Sequence, residues 1–371
     1  MNPFYLKALP LQAPFCDREK EMKSLVRLAE SMNDVVLYAP RRFGKTSLVR
    51  RVQDQLAKKG AVTIYVNFFG IGSVNEVAMN LAAAVFKVTY GRAPLWKKAS
   101  RFLLSYRPVI RPTPEGNVEI SAELATPETG MKLLVKVLDE LQAFTTSTDK
   151  LVQIALDEFQ ELVTLSDAKL IEGVIRTHFE SYQASHFFVG SRRRLLLEMF
   201  TEKQRPFFQS AQIYPLGPLP ENDLVNFVMK RFSDAGHNCS KEGAREIANL
   251  TNCHPYYSQK LAFLVYEQDE EVTAELVGKV FLDLIANEKA VFESNLECLS
   301  LQQRLVLKAL AREATNNPTS RDYTRKHDLG SVTGILFSVK QLEKLDFIEQ
   351  DKESGVWRVV DPIFAVWLAR R

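Results

Sequence analysis

The stretch Asp34-Val35-Val36-Leu37-Tyr38-Ala39-Pro40-Arg41-Arg42-Phe43-Gly44-Lys45-Thr46-Ser47 decides the fold. Its first five residues form a short apolar run, the length of a buried strand. The segment from Lys45 to Lys59 predicts a helix, with Leu48, Val52 and Leu56 at i, i+4 and i+8 and Gly60 just past its end. Between strand and helix, Ala39 to Thr46 meet the phosphate-loop pattern GxxxxGK[ST], with alanine in place of the first glycine. The pattern has a physical cause. Backbone N–H groups at a helix N-terminus point at an anion, and the helix dipole adds partial positive charge. Gly44 allows close backbone approach, Lys45 meets the β- and γ-phosphates, and the Thr46 hydroxyl serves Mg²⁺. Alanine at position 39 is compatible with this as long as its φ stays negative. Ala39, Pro40, Arg41, Arg42, Phe43, Gly44, Lys45, Thr46 and Ser47 are the candidate nucleotide-contacting residues.

Outward from the loop, strand and helix signals alternate. Ala61 to Phe68 reads as a strand, Ser73 to Tyr90 as a helix capped by Ser73, and Glu128 to Phe144 as a helix. Leu151 to Leu156 and His186 to Val189 read as strands around a helix from Lys169 to Tyr182, and Gln212 to Tyr214 as a last strand. Such alternation means a parallel sheet covered on both faces. Asp157 and Glu158 close the strand Gln153-Ile154-Ala155-Leu156. With a phosphate loop upstream, Asp157 is the candidate second metal ligand and Glu158 the candidate base for an attacking water. Ser191 and Arg192, at the next strand end, occupy the place of a γ-phosphate sensor; a solvated basic helix start is the bland alternative. Arg205 is either a finger reaching a neighbouring subunit's nucleotide or a plain surface charge.

Pro215 to Pro220 (PLGPLP) breaks the alternation. Beyond it helices are predicted over 221–235, 241–250, 256–267 and 273–292. From about Leu299, two or three helices precede Phe347-Ile348-Glu349 and Val356 to Val360, a small hairpin that gives this segment the look of a winged helix.

These motifs together resemble the archaeal-type ATPases of the AAA+/STAND branch of P-loop proteins. The residues that carry the resemblance are Pro14 to Glu21, the PRRFGKTSLV loop, LDEFQEL, VGSRRR, Thr251 to Tyr257 and Asp361 to Leu368, in family order along nearly the whole chain. The resemblance implies an α/β, ASCE-type P-loop NTPase with a parallel sheet in the order 5-1-4-3-2. It also implies a helical lid and a C-terminal winged helix, with ATP and Mg²⁺ as ligands. The expected domains are 1–217, with a hairpin insertion at about 91–127, then 218–296 and 297–371. Phe15 and the turn His254-Pro255-Tyr256 would flank the adenine. Two positions depart from the family: Ala39, and Gln209-Ser210, where relatives often carry the arginine of PLYGR.

Composition is that of a soluble globular chain: 371 residues, 46% hydrophobic, 25% charged, net charge +3. The longest apolar run, Ile363 to Ala369, is far below the roughly 20 residues of a membrane span, and no secretory signal precedes Pro10. A cytoplasmic address without membrane association is expected. Four scattered cysteines and five histidines show no metal-ligand spacing. Residues 1–60 hold twelve Lys/Arg against six Asp/Glu, an anion-attracting surplus around the phosphate loop.

Residues 91–112 hold six Lys/Arg and no acid, with Trp96, Phe102 and Tyr106 interleaved, and 113–128 hold four acids and no base. A hairpin over Tyr106 to Ser121, turning at Glu115-Gly116-Asn117, suits either nucleic-acid contact or packing on the domain. The candidate recognition helix, Ser331 to Asp346, balances Lys340 and Lys344 against Glu343 and Asp346, unlike the basic footprint of DNA readers. Three functional readings stand. The first is an Mg²⁺-dependent ATPase acting as a conformational switch, self-associating in a nucleotide-favoured ring of about six, with a DNA or protein client. The second is an ATP-dependent DNA-binding protein of mobile-element, replication or defence type. The third is a scaffold that holds nucleotide and barely hydrolyses it.

Overall fold

Val35–Tyr38 (β1) is a strand because four consecutive large apolar side chains can all be buried only inside a sheet covered on both faces, and all four are. The computed structural model describes residues 2–7, 9–89, 106–112, 118–124, 129–351 and 354–371. Contacts divide the chain into two units. One comprises Arg18–Arg41 and Lys45–Leu216; the other comprises the residues up to Asp17, then Arg42–Gly44 and Gly217–Arg371.

In the first unit, helix α1 (Glu19–Glu30) precedes β1, followed by α2 (Lys45–Lys58), β2 (Val62–Asn67) and α3 (Val74–Thr89). The antiparallel hairpin of β3 (Tyr106–Pro112) and β4 (Val118–Leu124) comes next, then α4 (Gly130–Ser147) and β5 (Val152–Asp157). A 3₁₀ turn (Phe159–Thr164), α5 (Ala168–Ser181), β6 (Ala184–Gly190), α6 (Arg193–Thr201) and β7 (Gln212–Pro215) complete it. The five-stranded sheet runs β2-β5-β6-β1-β7 with every pair parallel. Counted without the hairpin, that is the expected 5-1-4-3-2. The central strands β1, β5 and β6 are buried throughout, whereas β2 and β7 at the edges alternate or expose their ends. The proposed turn at 115–117 and the basic-aromatic segment with Trp96 and Phe102 lie outside the described residues.

Two polar devices sit inside this apolar unit. The Gln53 amide donates to the Gln153 side chain and to the Ile64 carbonyl, tying α2 to two strands. His186, flat against Phe179 with centroids 4.2 Å apart, bonds Asp34 through Nδ1 and so serves the core. Phe159 is the hub of the aromatic packing behind the acidic strand end. Its ring centroid lies 4.8 Å from Phe188, 5.4 Å from Phe207 and 6.2 Å from Phe68.

The second unit is helical: α7 (Glu221–Asp234), α8 (Lys241–Leu250), α9 (Pro255–Tyr266) and the long α10 (Ala274–Glu297). After them come α11 (Leu301–Arg312), α12 (Arg321–Lys326), α13 (Val332–Lys344), the antiparallel pair β8 (Ile348–Gln350) and β9 (Trp357–Val359), and α14 (Pro362–Ala369). Ser240, Thr273, Ser300, Ser320 and Ser331 each cap the next helix, which explains where those helices start. Asp361 caps α14 by accepting from Ile363 N and Phe364 N, and it also accepts the Tyr257 hydroxyl at 2.6 Å, joining α9 to the last helix. Among the described residues, no helix is long and apolar enough to cross a membrane.

Candidate functional site

In the first unit, β1 ends at Tyr38 and α2 starts at Lys45, so the loop between them delivers Lys45 and Thr46 at a helix N-terminus. Ala39 is buried and does not have a positive φ, so the missing glycine is not demanded by the backbone. Lys45 is 5% exposed and donates from Nζ to the carbonyls of Ala39 and Pro40, both at 2.9 Å. Thr46 Oγ1 donates to Asp157 Oδ2 at 2.6 Å, which brings together the two residues assigned to a metal from positions 111 apart in sequence. Tyr65 donates to the same carboxylate oxygen at 2.5 Å, and the Arg50 guanidinium lies 4.5 Å from the Tyr65 ring centre. Burial, and then the Asp157 carboxylate, push the Tyr65 hydroxyl's pKa well above the usual tyrosine value, so it stays a donor. Hydroxyl and carboxylate oxygens are hard ligands that suit Mg²⁺. Among the described residues, no group of three or more His, Cys, Asp or Glu could hold a metal alone. Mg²⁺ fits that sparse set, because it is ordinarily shared between one or two protein oxygens, water and substrate phosphates.

Beyond Asp157, Glu158 adopts a left-handed conformation (φ 54°) at the head of the 3₁₀ turn. Ser191, just past the end of β6, donates to Glu158 Oε2 at 2.9 Å, and Gln160 Nε2 donates to the same oxygen at 2.5 Å. The two sequence candidates Glu158 and Ser191 are thus direct partners. Arg192 stands 3.7 Å from Glu161 with its side chain partly exposed. Arg205 is engaged elsewhere. Its side chain is mostly buried and pairs through Nη2 with the fully buried Glu172 at 2.8 Å, a contact within its own unit. Tyr65, Arg50 and Gln160 are not among the sequence candidates. The only sequence signal for them is position: Tyr65 sits two residues before the β2 end, and Gln160 two after Glu158.

In the second unit, the loop tip Arg42–Gly44 groups with the helical residues. Arg42 (φ 65°) and Gly44 (φ 82°) are both left-handed, which glycine tolerates freely and arginine does not. The Arg42 guanidinium lies 4.3 Å from the Tyr256 ring centre, and the Phe43 ring meets His254 edge-on at 4.6 Å. His254 caps α9 through its ring, and Pro255 takes the first helical position, where its missing N–H costs nothing. Phe15 is half-buried in the same unit.

The sequence model of the ATPase domain found predominantly in Archaea matches residues 15–261. The chain belongs to that family. A model of a probable winged helix domain matches residues 290–370. No curated protein matches the chain by sequence. Among solved structures, the Walker-type ATPase of Pyrococcus abyssi is 16% identical with a TM-score of 0.70, covering 99% of both chains. The ORC2 protein of Aeropyrum pernix, solved in ADPNP–ADP complexes, is 15% identical with a TM-score of 0.60, over 100% of this chain and 96% of that one. The ORC1 protein of the same organism, solved with DNA, is 15% identical with a TM-score of 0.51, over 97% of this chain and 94% of that one. At such identities these likenesses establish the fold. This archaeal-type ATPase is therefore an α/β protein with a parallel five-stranded sheet and a C-terminal winged helix domain.

Proposed function

We propose that this chain hydrolyses ATP with Mg²⁺ and uses the cycle as a conformational switch. The observation that carries the reading is the convergence of Thr46 on Asp157 at 2.6 Å, with Glu158 next in sequence and held by Ser191. Lys45 supplies the positive charge for the β- and γ-phosphates, and the backbone N–H groups before α2 cradle them. Mg²⁺, held by Thr46 and Asp157 together with phosphate oxygens, would neutralise charge that builds on those oxygens. Glu158 takes a proton from water as the water oxygen bonds the γ-phosphorus. The β–γ bridging bond breaks, and ADP leaves with its electron pair. Ser191 fixes the carboxylate for that step. Arg192 would sense the γ-phosphate. Phe15, His254 and Pro255 are proposed to flank the adenine.

Support for a switch comes from α9. Its first turn holds Phe43 and Arg42 of the loop tip, and its Tyr257 holds the carboxylate that caps α14. A change at the loop tip has a route to the last helix through one helix. We propose boundaries near 217 and 297, residence in the cytoplasm, and self-association favoured by ATP. The exposed side chains of α13 include Val332, Leu336 and Phe337 beside Lys340, an apolar face that favours a protein client over a DNA groove.

The test of nucleotide binding is calorimetric titration with Mg²⁺ and ATP. Lys45→Ala should abolish tight binding while the circular dichroism spectrum and melting profile stay those of the wild type. Equal affinity in both proteins would contradict the assignment.

A further inference from the structure

Gly190 ends β6, opposite Tyr38 in the parallel register. Its φ is not positive, so the backbone does not require glycine there. Space does. A Cβ at this position would stand 2.0 Å from Gln160 Oε1 and 3.1 Å from its Cδ, with Leu196 Cδ2 at 3.0 Å. No real Cβ tolerates the first of these contacts, so any side chain at 190 must displace the Gln160 amide. Gln160 is 0% exposed, and its Oε1 has no hydrogen-bond partner among the described residues. Leaving a buried amide oxygen unpaired is destabilising. The fold accepts that cost while aiming the other end of the amide, Nε2, at Glu158 Oε2. The reverse orientation would set an amide oxygen against a carboxylate oxygen, so the aim of the amide is fixed by charge.

We propose that Gln160 is a positioning residue for the hydrolytic base Glu158, and that Gly190 is present to seat it. The proposal rests on the reading of this chain as an ATP hydrolase. Two donors, Gln160 Nε2 and Ser191 Oγ, meet on Oε2, while among the described residues Oε1 has only the longer 3.3 Å approach of Ser191. The anchored oxygen orients the group, and the freer one is left for the water proton. Glu158 is held in a left-handed conformation, which persists only where the surroundings over-determine it, and the two donors on its carboxylate add to that constraint. The end of β6 thus contributes twice to one carboxylate: a hydroxyl at Ser191 and an empty volume at Gly190.

The experiment measures kcat and KM of steady-state phosphate release, with ATP affinity, for Gln160→Met, Gln160→Ala, Gly190→Ala and the Gln160→Ala/Gly190→Ala pair. Gln160→Met keeps length and loses the donor. It is expected to bind ATP as the wild type does, to keep its KM, and to lose roughly 10–100-fold in kcat, a split that a general loss of structure would not produce. Gly190→Ala should lower kcat in the wild-type background and add little once Gln160 is alanine, because the clashing amide is then gone. Wild-type kcat in Gln160→Met, or a rise in KM with kcat unchanged, would overturn the positioning role. So would an equal loss from Gly190→Ala in both backgrounds. A wild type that binds ATP and releases no phosphate would contradict the hydrolysis reading instead.

Discussion

Glu172 is a carboxylic acid that burial holds near its titration point. Desolvation raises its pKa from 4.5 to about 7, against the opposing charges of Arg205 and Lys169. A folded pKa above the unfolded one means the native state keeps a proton that the unfolded chain has released. The contribution of this group to stability is therefore full below about 4.5 and declines as pH rises through 7. Glu172→Gln cannot titrate, so the melting temperature of the wild type relative to this variant should fall by a few degrees between pH 5 and pH 8. Thermal unfolding of both proteins at the two pH values checks it, and parallel curves would refute the assignment. At this scale the sequence is informative where a residue's chemistry depends on its spacing: Lys45, Thr46, Asp157 and Glu158 come directly from the loop and the acidic strand end. Tyr65 and Gln160 are not legible. Tyr65 reaches Asp157 only because β2 and β5 pair in the register that sets Asn67 beside Asp157. Gln160 reaches Glu158 only because the chain turns through a left-handed residue between β5 and the 3₁₀ turn. Arg205 invites a reading as a finger because nothing in sequence places it against Glu172.

Elements are legible in proportion to the regularity of their apolar pattern. Leu48, Val52 and Leu56, at helical spacing, are all buried in α2, and the continuous runs of β1 and β5 are the fully buried strands that such runs predict. Helix α8 has both of its predicted ends, because Ser240 caps it and its apolar stripe is narrow and clear. Helix α1 carries no comparable signal. It has no side-chain cap, its start is set by left-handed Asp17 and Arg18, and its buried face is only Leu25, Val26 and Ala29. Helix α10 runs on to Glu297, past the predicted end at Phe292, because Phe292 and Leu296 are themselves buried. The role of Phe159 is equally hidden. In the sequence it is one letter of LDEFQEL; in the fold it is the ring against which Phe188, Phe200 and Phe207 pack, and it anchors the turn that carries Glu158.

For the whole molecule, the open question is whether one chain completes its own site. Arg205 pairs with Glu172, Arg194 pairs with Glu198 at 2.6 Å, and Arg192, partly exposed, lies 3.7 Å from Glu161. Residues 1–60 carry a surplus of six positive charges, and we propose that a neighbour's arginine adds to the charge around the γ-phosphate. We therefore expect self-association in the presence of a non-hydrolysable ATP analogue and dissociation toward smaller species with ADP or no nucleotide. Mass by light scattering in the three states tests this; a monomer in all three at micromolar concentration would place completion in cis, on Arg192. Within one site, the proposed division of labour is that Glu158 acts as the base and Asp157 serves the metal. Its most direct test is phosphate release by wild type, Glu158→Gln and Asp157→Asn, each at saturating Mg²⁺ and ATP, with binding verified for Glu158→Gln. Glu158→Gln should bind ATP as the wild type does and lose at least ~10²-fold in turnover, as removal of a general base requires. Glu158→Gln at the wild-type rate, with Asp157→Asn inactive, would contradict it.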